Sequence, residues 1–195
     1  MTCPARRPHG FSLLELMITI TVVAILLAIA VPSFRDLIRR NQVSSASNEL
    51  LASIAYARTE AIDRGQLVSM CPSSDGAACT ASGQAYEPGW IIYTYPAGAA
   101  SANKAYAAAS ATLLRAIGAR AGVSIQSGGT TNSVITFGQQ GQLRPSTALT
   151  FVTCARTGTS GTGESTTEAP GVGLTVNGSG SANSQKWAVG AACSF

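Results

Sequence analysis

The sequence is poor in the groups that most enzyme sites need. One histidine, His9, occurs among 195 residues, and it lies within the first ten. There is no glycine-rich nucleotide-binding pattern and no Cys-x-x-Cys pair. If residues 1–10 are removed, these absences exclude Ser-His-Asp and Cys-His catalysis and any histidine-ligated metal site. We therefore expect no catalytic residue, no cofactor and no metal.

Charge is also scarce. Asp, Glu, Lys and Arg make up 11% of the chain, whereas hydrophobic residues make up 46%. Intrinsic disorder of the whole chain is excluded, because it requires low hydrophobicity and high charge. The net charge of +4 is modest, and Arg6 and Arg7 contribute to it from the extreme N-terminus. A protein that binds nucleic acid by charge alone would carry more.

One long apolar run is present near the N-terminus. Phe11 to Val31 contains a single charged residue, Glu15. As a helix, this run would be about 30 Å long, which is the thickness of a bilayer core. Arg6 and Arg7 precede it and are expected to keep the N-terminus in the cytoplasm. No second apolar run of that length follows, so the sequence predicts a single-pass protein whose remainder is exported.

Two simple interpretations of this run leave Glu15 unexplained. Ala28-Ile29-Ala30 fits the cleavage rule of a secretory signal peptide, and the run could also be a plain membrane anchor. A charge inside a membrane span costs several kcal/mol and marks a functional residue that needs a partner. Neither interpretation supplies that partner.

A third interpretation comes from the residues around Gly10. Gly10-Phe11-Ser12-Leu13-Leu14-Glu15 resembles the processing site of type IV prepilins. The resemblance implies that residues 1–10 are a leader, which the prepilin peptidase removes by cutting after Gly10. It also implies that Phe11 becomes an N-methylated N-terminus and that Glu15 takes the position of the glutamate that this superfamily carries.

The same resemblance implies assembly roles for Glu15 and Pro32. Pro32 takes the position of a helix-bending proline in the family. Glu15 of one subunit is expected to approach the Phe11 amine of its neighbour in a filament and to fix the axial register. This expectation agrees with physical chemistry, because a buried charge is tolerated when it is paired and hydrogen-bonded.

The helical pattern continues beyond the apolar run. Ser33 to Arg64 contains neither Gly nor Pro, and Gly65 is suited to end a helix. Apolar residues recur at spacings of three and four, and Glu60 and Arg64 form an i,i+4 pair. We therefore expect an α+β fold: a long N-terminal helix, the pilin "stalk", and an antiparallel β-sheet or sandwich head. The expected divisions are the leader 1–10, a transmembrane half-helix 11–32, an amphipathic half-helix 33–65 and the β-rich head 66–195.

Short β-rich runs separated by turn residues follow Gly65 and favour an antiparallel sheet or sandwich. Three stretches are expected to be loops, namely Ser73–Pro88, Pro96–Ser110 and Thr157–Gly171. The candidate strands are Leu67–Cys71, Gly89–Tyr95, Thr112–Ile117, Val123–Gln126, Ser133–Phe137, Leu149–Cys154, Val172–Val176 and Trp187–Ala191.

Four of the five cysteines are expected in the exported part, because Cys3 belongs to the leader. An even number of cysteines in an exported domain indicates two disulfides, and three pairings are possible. We favour Cys71–Cys79, which closes a short loop, and Cys154–Cys193, which ties the C-terminus to a strand. A zinc site is disfavoured because structural zinc sites usually have two close-set ligand pairs.

Three stretches point to one branch of the pilin superfamily. They resemble the group of minor pilins and pseudopilins that includes GspH, FimU and FimT. The stretches are Asn48–Ala61, Val68–Gly76 followed by Cys79, and Gly89–Tyr93. Within these stretches we expect Trp90 to be a core residue and Ser73–Asp75 to form an Asx-type turn without calcium.

The resemblance implies a structural protein and no enzyme. Such a subunit would be present in few copies near the tip of a type IV pilus and would help to initiate assembly. The alternative is a minor pseudopilin, of the protein H type, in a type II secretion system. Expected partners are the prepilin peptidase, other minor and major pilins or pseudopilins, and inner-membrane lipid. The implied location is the inner membrane of a Gram-negative bacterium, as a single-pass protein with a periplasmic head, and then the pilus or pseudopilus.

A second alternative is a DNA-binding minor pilin for DNA uptake. FimT-like members with this activity carry a Gly-Arg-x-Arg element near the C-terminus. Here Lys186 is the single basic residue after Arg156, so the element is absent and DNA binding is disfavoured.

Overall fold

A computed structural model describes residues 11–80, 83–96, 102–128, 134–156, 158 and 161–195. The predicted leader, with Gly10 and Cys3, lies outside these residues, as do parts of the three predicted loops and Ser133. The chain forms two compact units, of which the first ends at Leu37 and the second comprises Ile38–Phe195.

One helix, α1, covers Leu13–Arg64, which is 52 residues. It ends where Gly65 adopts a left-handed conformation with φ of 59°. The Gln66 amide donates to the Ala61 carbonyl, and the Gly65 amide donates to the Ile62 carbonyl, both at 3.3 Å. This pair of bonds is the Schellman arrangement, which satisfies carbonyls that a helix end would leave free.

The first unit contains the apolar part of α1. By length and composition this helix can cross a membrane. The side chains from Phe11 to Val31 are exposed throughout, including Leu13 and Ile29 at 77% and 70%. Exposed apolar surface of this extent is typical of a segment that lies in lipid or against other chains.

The second unit contains two four-stranded antiparallel sheets, which confirms the predicted fold class. The first sheet has the order β3-β2-β1-β5, and the second has the order β4-β6-β7-β8. The strands are β1 Val68–Pro72, β2 Trp90–Thr94, β3 Thr112–Ile117, β4 Val123–Gly128, β5 Ile135–Phe137, β6 Leu149–Ala155, β7 Val172–Val176 and β8 Ala182–Lys186.

The main core of this unit lies between the apolar stripe of α1 and one face of each sheet. Trp90, Phe137 and Phe151 are fully buried in it, and Tyr86 packs edge-on against Phe151 with ring centroids 5.2 Å apart. The helix contributes the residues at the predicted three- and four-residue spacings, namely Val43, Ala46, Leu50, Ile54, Ala57 and Ala61.

Two smaller apolar clusters cover the opposite faces of the sheets. Ile91, Tyr93 and Tyr95 form one with Cys71, and Tyr106 packs against it. The other, on the second sheet, combines Val152, Cys154 and Cys193 with Trp187 packed against them. Each cluster includes a disulfide: Cys79 packs against the cluster that contains Cys71, and the other cluster contains both Cys154 and Cys193. Both cross-links therefore hold a segment against a sheet.

The last predicted strand is wrong. The final strand is Ala182–Lys186, not Trp187–Ala191. A tight turn precedes it, in which the Asn177 amide donates to the Ser181 carbonyl at 2.8 Å, and this turn opposes Val176 to Ala182. The strand lies at a sheet edge with exposed side chains, so it is polar and gives no apolar signal. The other seven predicted strands overlap observed ones.

Candidate functional site

Glu15 lies in the first turn of α1. The Ser12 hydroxyl accepts a hydrogen bond from the Glu15 amide at 3.2 Å, and the Ser12 carbonyl accepts one from Leu16 at 3.1 Å. Ser12 is therefore the N-cap of the helix, and a carboxylate three residues later is favourable beside the positive end of the helix dipole. Among the described residues, no hydrogen-bonding or ion-pair partner reaches the Glu15 carboxylate.

The other polar side chains of the apolar run bond to the helix itself. The Thr19 hydroxyl donates to the Leu16 carbonyl at 2.8 Å. The Thr21 hydroxyl donates to the carbonyl of Ile18 at 2.8 Å. Glu15 is consequently the one side chain between residues 13 and 31 whose polar group needs a partner from elsewhere. The sequence alone shows that Glu15 is charged. The structure adds that the hydroxyls of Thr19 and Thr21 are already hydrogen-bonded within the helix.

Pro32 lies inside α1, where the helix continues on both sides. Proline has no amide hydrogen, so the Ala28 carbonyl loses its usual intrahelical donor. This position adjoins the end of the apolar run and leaves one backbone acceptor free there.

The predicted pair near the helix end is present. Arg64 forms an ion pair with Glu60, and this hydrogen bond is the main reason why the pKa of Glu60 is lowered. Burial, and then the Glu60 carboxylate, raise the pKa of Tyr56, whose ring lies 5.7 Å from the Arg115 guanidinium. These contacts connect α1 to the edge strand β3 and are structural.

Two further ion pairs have no signal in the sequence. Arg156 pairs with Glu87, and Arg120 pairs with Glu49. The Glu87 carboxylate also accepts the Ile125 amide at 3.1 Å. Glu87 is thus a buried anchor that fastens its loop to the second sheet. Its partners lie 38 and 69 positions away, so no local pattern could predict them.

The four cysteines pair as Cys71–Cys79 and Cys154–Cys193, the two pairings favoured from the sequence. Inside the first loop, the Asp75 carboxylate accepts the amides of Ala77 and Ala78 at 2.8 and 3.0 Å. These bonds, followed by one from the Ser73 hydroxyl, lower the pKa of Asp75. The turn is therefore closed by its own backbone.

No candidate metal centre appears in the part of the chain that the structure describes. No group of three or more His, Cys, Asp or Glu side chains converges there. The distinctive chemistry is instead the carboxylate of Glu15, which lies in an apolar helix and has no partner among the residues that the structure describes. Such an arrangement can bind a cation on a second chain.

A long apolar N-terminal helix with such a carboxylate, joined to a head of two antiparallel sheets, defines the pilin class of fold. A family model described as "Type II transport protein GspH" matches residues 46–180. A second, described as "Prokaryotic N-terminal methylation motif", matches residues 5–31, which include Gly10, Phe11 and Glu15. The chain therefore belongs to the GspH family.

Curated relatives match over part of their length. A fimbrial protein of Pseudomonas aeruginosa is 36% identical over 66 residues, which is 34% of this chain and 43% of the relative. A type IV major alpha-pilin of Moraxella bovis is 49% identical over 43 residues, 22% of this chain and 27% of the relative. The matches thus cover less than half of each relative.

The fold is shared with a solved pilin structure. The crystal structure of the type IV minor pilin FimU from Pseudomonas aeruginosa aligns with a TM-score of 0.52 and 23% identity. The alignment covers 79% of this chain and 96% of the FimU chain in that crystal structure. The architecture of helix and two-sheet head is therefore that of a pilin.

Proposed function

We propose that this chain is a minor pilin, a low-abundance structural subunit that helps to initiate a type IV pilus near its tip. The observation that carries the proposal is the Glu15 carboxylate, which has no partner among the described residues of its own chain. The match to the methylation motif over residues 5–31 and the fold shared with FimU support it. In this role the protein is not an enzyme.

The proposed processing step creates the partner that Glu15 lacks. The prepilin peptidase cuts after Gly10, and the new N-terminal amine of Phe11 is then methylated. An N-methylated amine stays cationic at neutral pH. Each subunit consequently carries one cation and one carboxylate four residues apart at the start of the same apolar helix.

In the assembled filament, Glu15 would pair with the Phe11 ammonium of a neighbouring subunit. An uncompensated charge in an apolar bundle costs several kcal/mol, whereas a paired one is tolerated. The pair therefore favours one axial offset between helices over all others. Its main effect is on register, because burying an ion pair adds little net stability.

Before assembly, the chain would be anchored in the inner membrane by residues 11–32, with residues 66–195 in the periplasm. The two disulfides are consistent with an oxidising compartment. The head would then leave the membrane with the growing pilus of a Gram-negative bacterium, in contact with other minor and major pilins.

A second candidate is a minor pseudopilin of a type II secretion system. The description of the matching family model, which covers most of the head, favours it. Fold and processing would be the same in both machines, and the neighbouring subunits would differ. Co-purification of the cross-linked chain with major pilin supports the pilus, whereas co-purification with pseudopilins supports the secretion system.

The proposal can be tested by incorporation of Glu15→Gln into sheared fibres. The matched control is Thr21→Val, which also removes a polar group from the run, but one already bonded to the helix. We expect Glu15→Gln to insert in the membrane and to reach the fibre at least about tenfold less often, a loss that corresponds to about 1.4 kcal/mol. Thr21→Val should incorporate normally. Equal incorporation of both variants would refute the role of Glu15.

A further inference from the structure

An open groove of about 310 Å³ lies beside the first part of α1 in the second unit. We call it the Arg40–Lys186 groove. Val43 and Pro170 contribute apolar surface to it, and Ser44 and Thr167 contribute hydroxyls. Arg40 and Lys186 contribute its two cations. A groove with apolar walls and two basic groups suits an amphipathic anion.

The two cations are held differently. Arg40 donates from Nε and Nη2 to the Glu168 carbonyl, at 3.1 and 2.7 Å, and this fixes the guanidinium while leaving its other N–H groups available. Lys186 is exposed at the end of β8, and no described residue forms a hydrogen bond or ion pair with its ammonium. The register between β7 and β8 opposes Lys186 to Val172, another residue of the groove.

Two carboxylates close to the groove in sequence or through Arg40 belong to a different depression. Glu164 and Glu168 line a neighbouring cavity with Thr166 and Val189, and neither lines the Arg40–Lys186 groove. Glu168 contacts Arg40 through its backbone carbonyl. The groove therefore presents positive charge beside a separate acidic depression.

We propose that this groove binds the phosphate of an anionic phospholipid headgroup while the chain is anchored in the membrane. Arg40 follows Val31 by nine residues, so even a fully extended chain keeps it within about 30 Å of the apolar run. A basic residue close to an anionic membrane surface is attracted to it, and each such residue adds to the binding free energy. The inference rests on the membrane-anchored state of the proposed function and adds a lipid contact made by the head.

Trp187 provides a built-in reporter for this contact. It follows Lys186 directly, and its amide donates to the carbonyl of Gly171, a groove residue, at 2.8 Å. The other tryptophan, Trp90, is fully buried in the main core. Quenching by a group attached to lipid headgroups will therefore report on Trp187.

The test uses the full chain reconstituted in nanodiscs that contain a lipid with a nitroxide on its headgroup. One set contains phosphatidylcholine alone, and the other adds phosphatidylglycerol. We expect quenching of Trp187 to be about twofold or more stronger with phosphatidylglycerol, and the excess to disappear at high salt. Lys186→Gln should remove most of this excess. It is the preferred variant because Lys186 is exposed, whereas Arg40→Gln also breaks the bonds to Glu168.

Arg144→Gln is the matched control. Arg144 is also exposed, and it follows Gly141, which packs against Arg58 and Ile62 of α1. These helix residues lie 18 or more positions beyond Arg40, about 27 Å along the helix axis. Arg144→Gln makes the same change in net charge and should keep the lipid-dependent quenching.

Several outcomes would overturn the inference. Equal quenching in the two lipid sets, or equal losses in Lys186→Gln and Arg144→Gln, would show that the groove does not select anionic lipid. A change in Trp187 fluorescence caused by inorganic phosphate or by duplex DNA, without any effect of phosphatidylglycerol, would assign the groove to those phosphates instead. Failure of the chain to insert into nanodiscs would contradict the anchored state itself, whereas insertion without lipid dependence would contradict the groove alone.

Discussion

The two units of this chain differ in whether their apolar and charged side chains find partners within the chain. In the second unit, apolar side chains such as Leu50 are buried, and Glu87 and Arg156 pair with each other. In the N-terminal part of α1, apolar side chains are exposed and Glu15 has no partner among the described residues. The second unit therefore has a buried core of its own, whereas the exposed apolar surface of the N-terminal run is typical of a segment that lies in lipid or against other chains.

This difference separates folding determinants from assembly determinants. A substitution in the head should change the free energy of unfolding and affect assembly through loss of folded protein. A substitution in the N-terminal run should leave the unfolding of the head unchanged and affect insertion or assembly directly. Substitutions in each unit test that separation.

The same leucine-to-alanine change should lower the free energy of unfolding much more in the second unit than in the first. Leu50 is fully buried in the main core, whereas Leu26 is 61% exposed. Leu50→Ala should lower the free energy of unfolding of the second unit by about 3–5 kcal/mol, because it leaves a cavity. Leu26→Ala should change it by less than about 0.5 kcal/mol. Urea unfolding of the full chain in detergent, followed by near-ultraviolet circular dichroism, measures both. Similar losses would contradict the separation.

The two disulfides should contribute unequally to the head. Cys154–Cys193 closes a separation of 39 residues, whereas Cys71–Cys79 closes one of 8. Loop-closure entropy then predicts losses of about 4 and about 2.5 kcal/mol when each pair is replaced by alanine. Denaturant midpoints of the two double variants give the ranking. A larger loss for the shorter loop would show that packing of the loop outweighs chain entropy.

The pair between Glu87 and Arg156 should behave as one unit. Glu87→Gln leaves Arg156 without its anion in a largely buried place, for which we expect a loss of about 2 kcal/mol, below the range for fully buried pairs. In a double-mutant cycle with Arg156→Met, the second change should cost much less in the Glu87→Gln background than in the original chain. Additive losses would mean that the two side chains act independently.

Asp75 should give the smallest effect, and one that depends on pH. Its folded pKa is lowered by the amides of Ala77 and Ala78 and by the Ser73 hydroxyl. A lowered folded pKa gives stability that is present above the unfolded pKa of about 3.9 and is lost as pH falls through the folded pKa. Asp75→Asn should remove this acid-dependent component below the unfolded pKa, as seen in unfolding midpoints measured as the pH is lowered. An unchanged pH profile would contradict the assignment.

The sequence was sufficient for the features that repeat along the chain. The apolar stripe of α1, the C-cap at Gly65 and seven of the strands follow from local spacing and turn residues. Strand β8 could not be predicted because an exposed edge strand is polar, while the apolar Trp187 that follows it packs on the outer face of the second sheet. A locally apolar sequence indicates buried residues. At this edge the residues that pair in the strand are exposed, and the residue that is packed, Trp187, lies outside the strand.

The functional residues also fall into those that the local sequence predicts and those that only tertiary contacts bring together. Glu15 stands out in the sequence because it is the one charge in an apolar run. The pairing of Glu87 with Arg156, and the convergence of Arg40 and Lys186 on one groove, depend on tertiary contacts between distant positions. No spacing rule relates such positions, so a structure was required to find them.

The most direct test of the account is mass spectrometry of the N-terminus of this chain recovered from assembled fibres. We predict a chain that begins at Phe11 and carries a methyl group on its α-amine, so that the apolar run and Glu15 are retained. A chain that still begins at Met1, or one that begins at Val31 after ordinary signal-peptide cleavage, would contradict it.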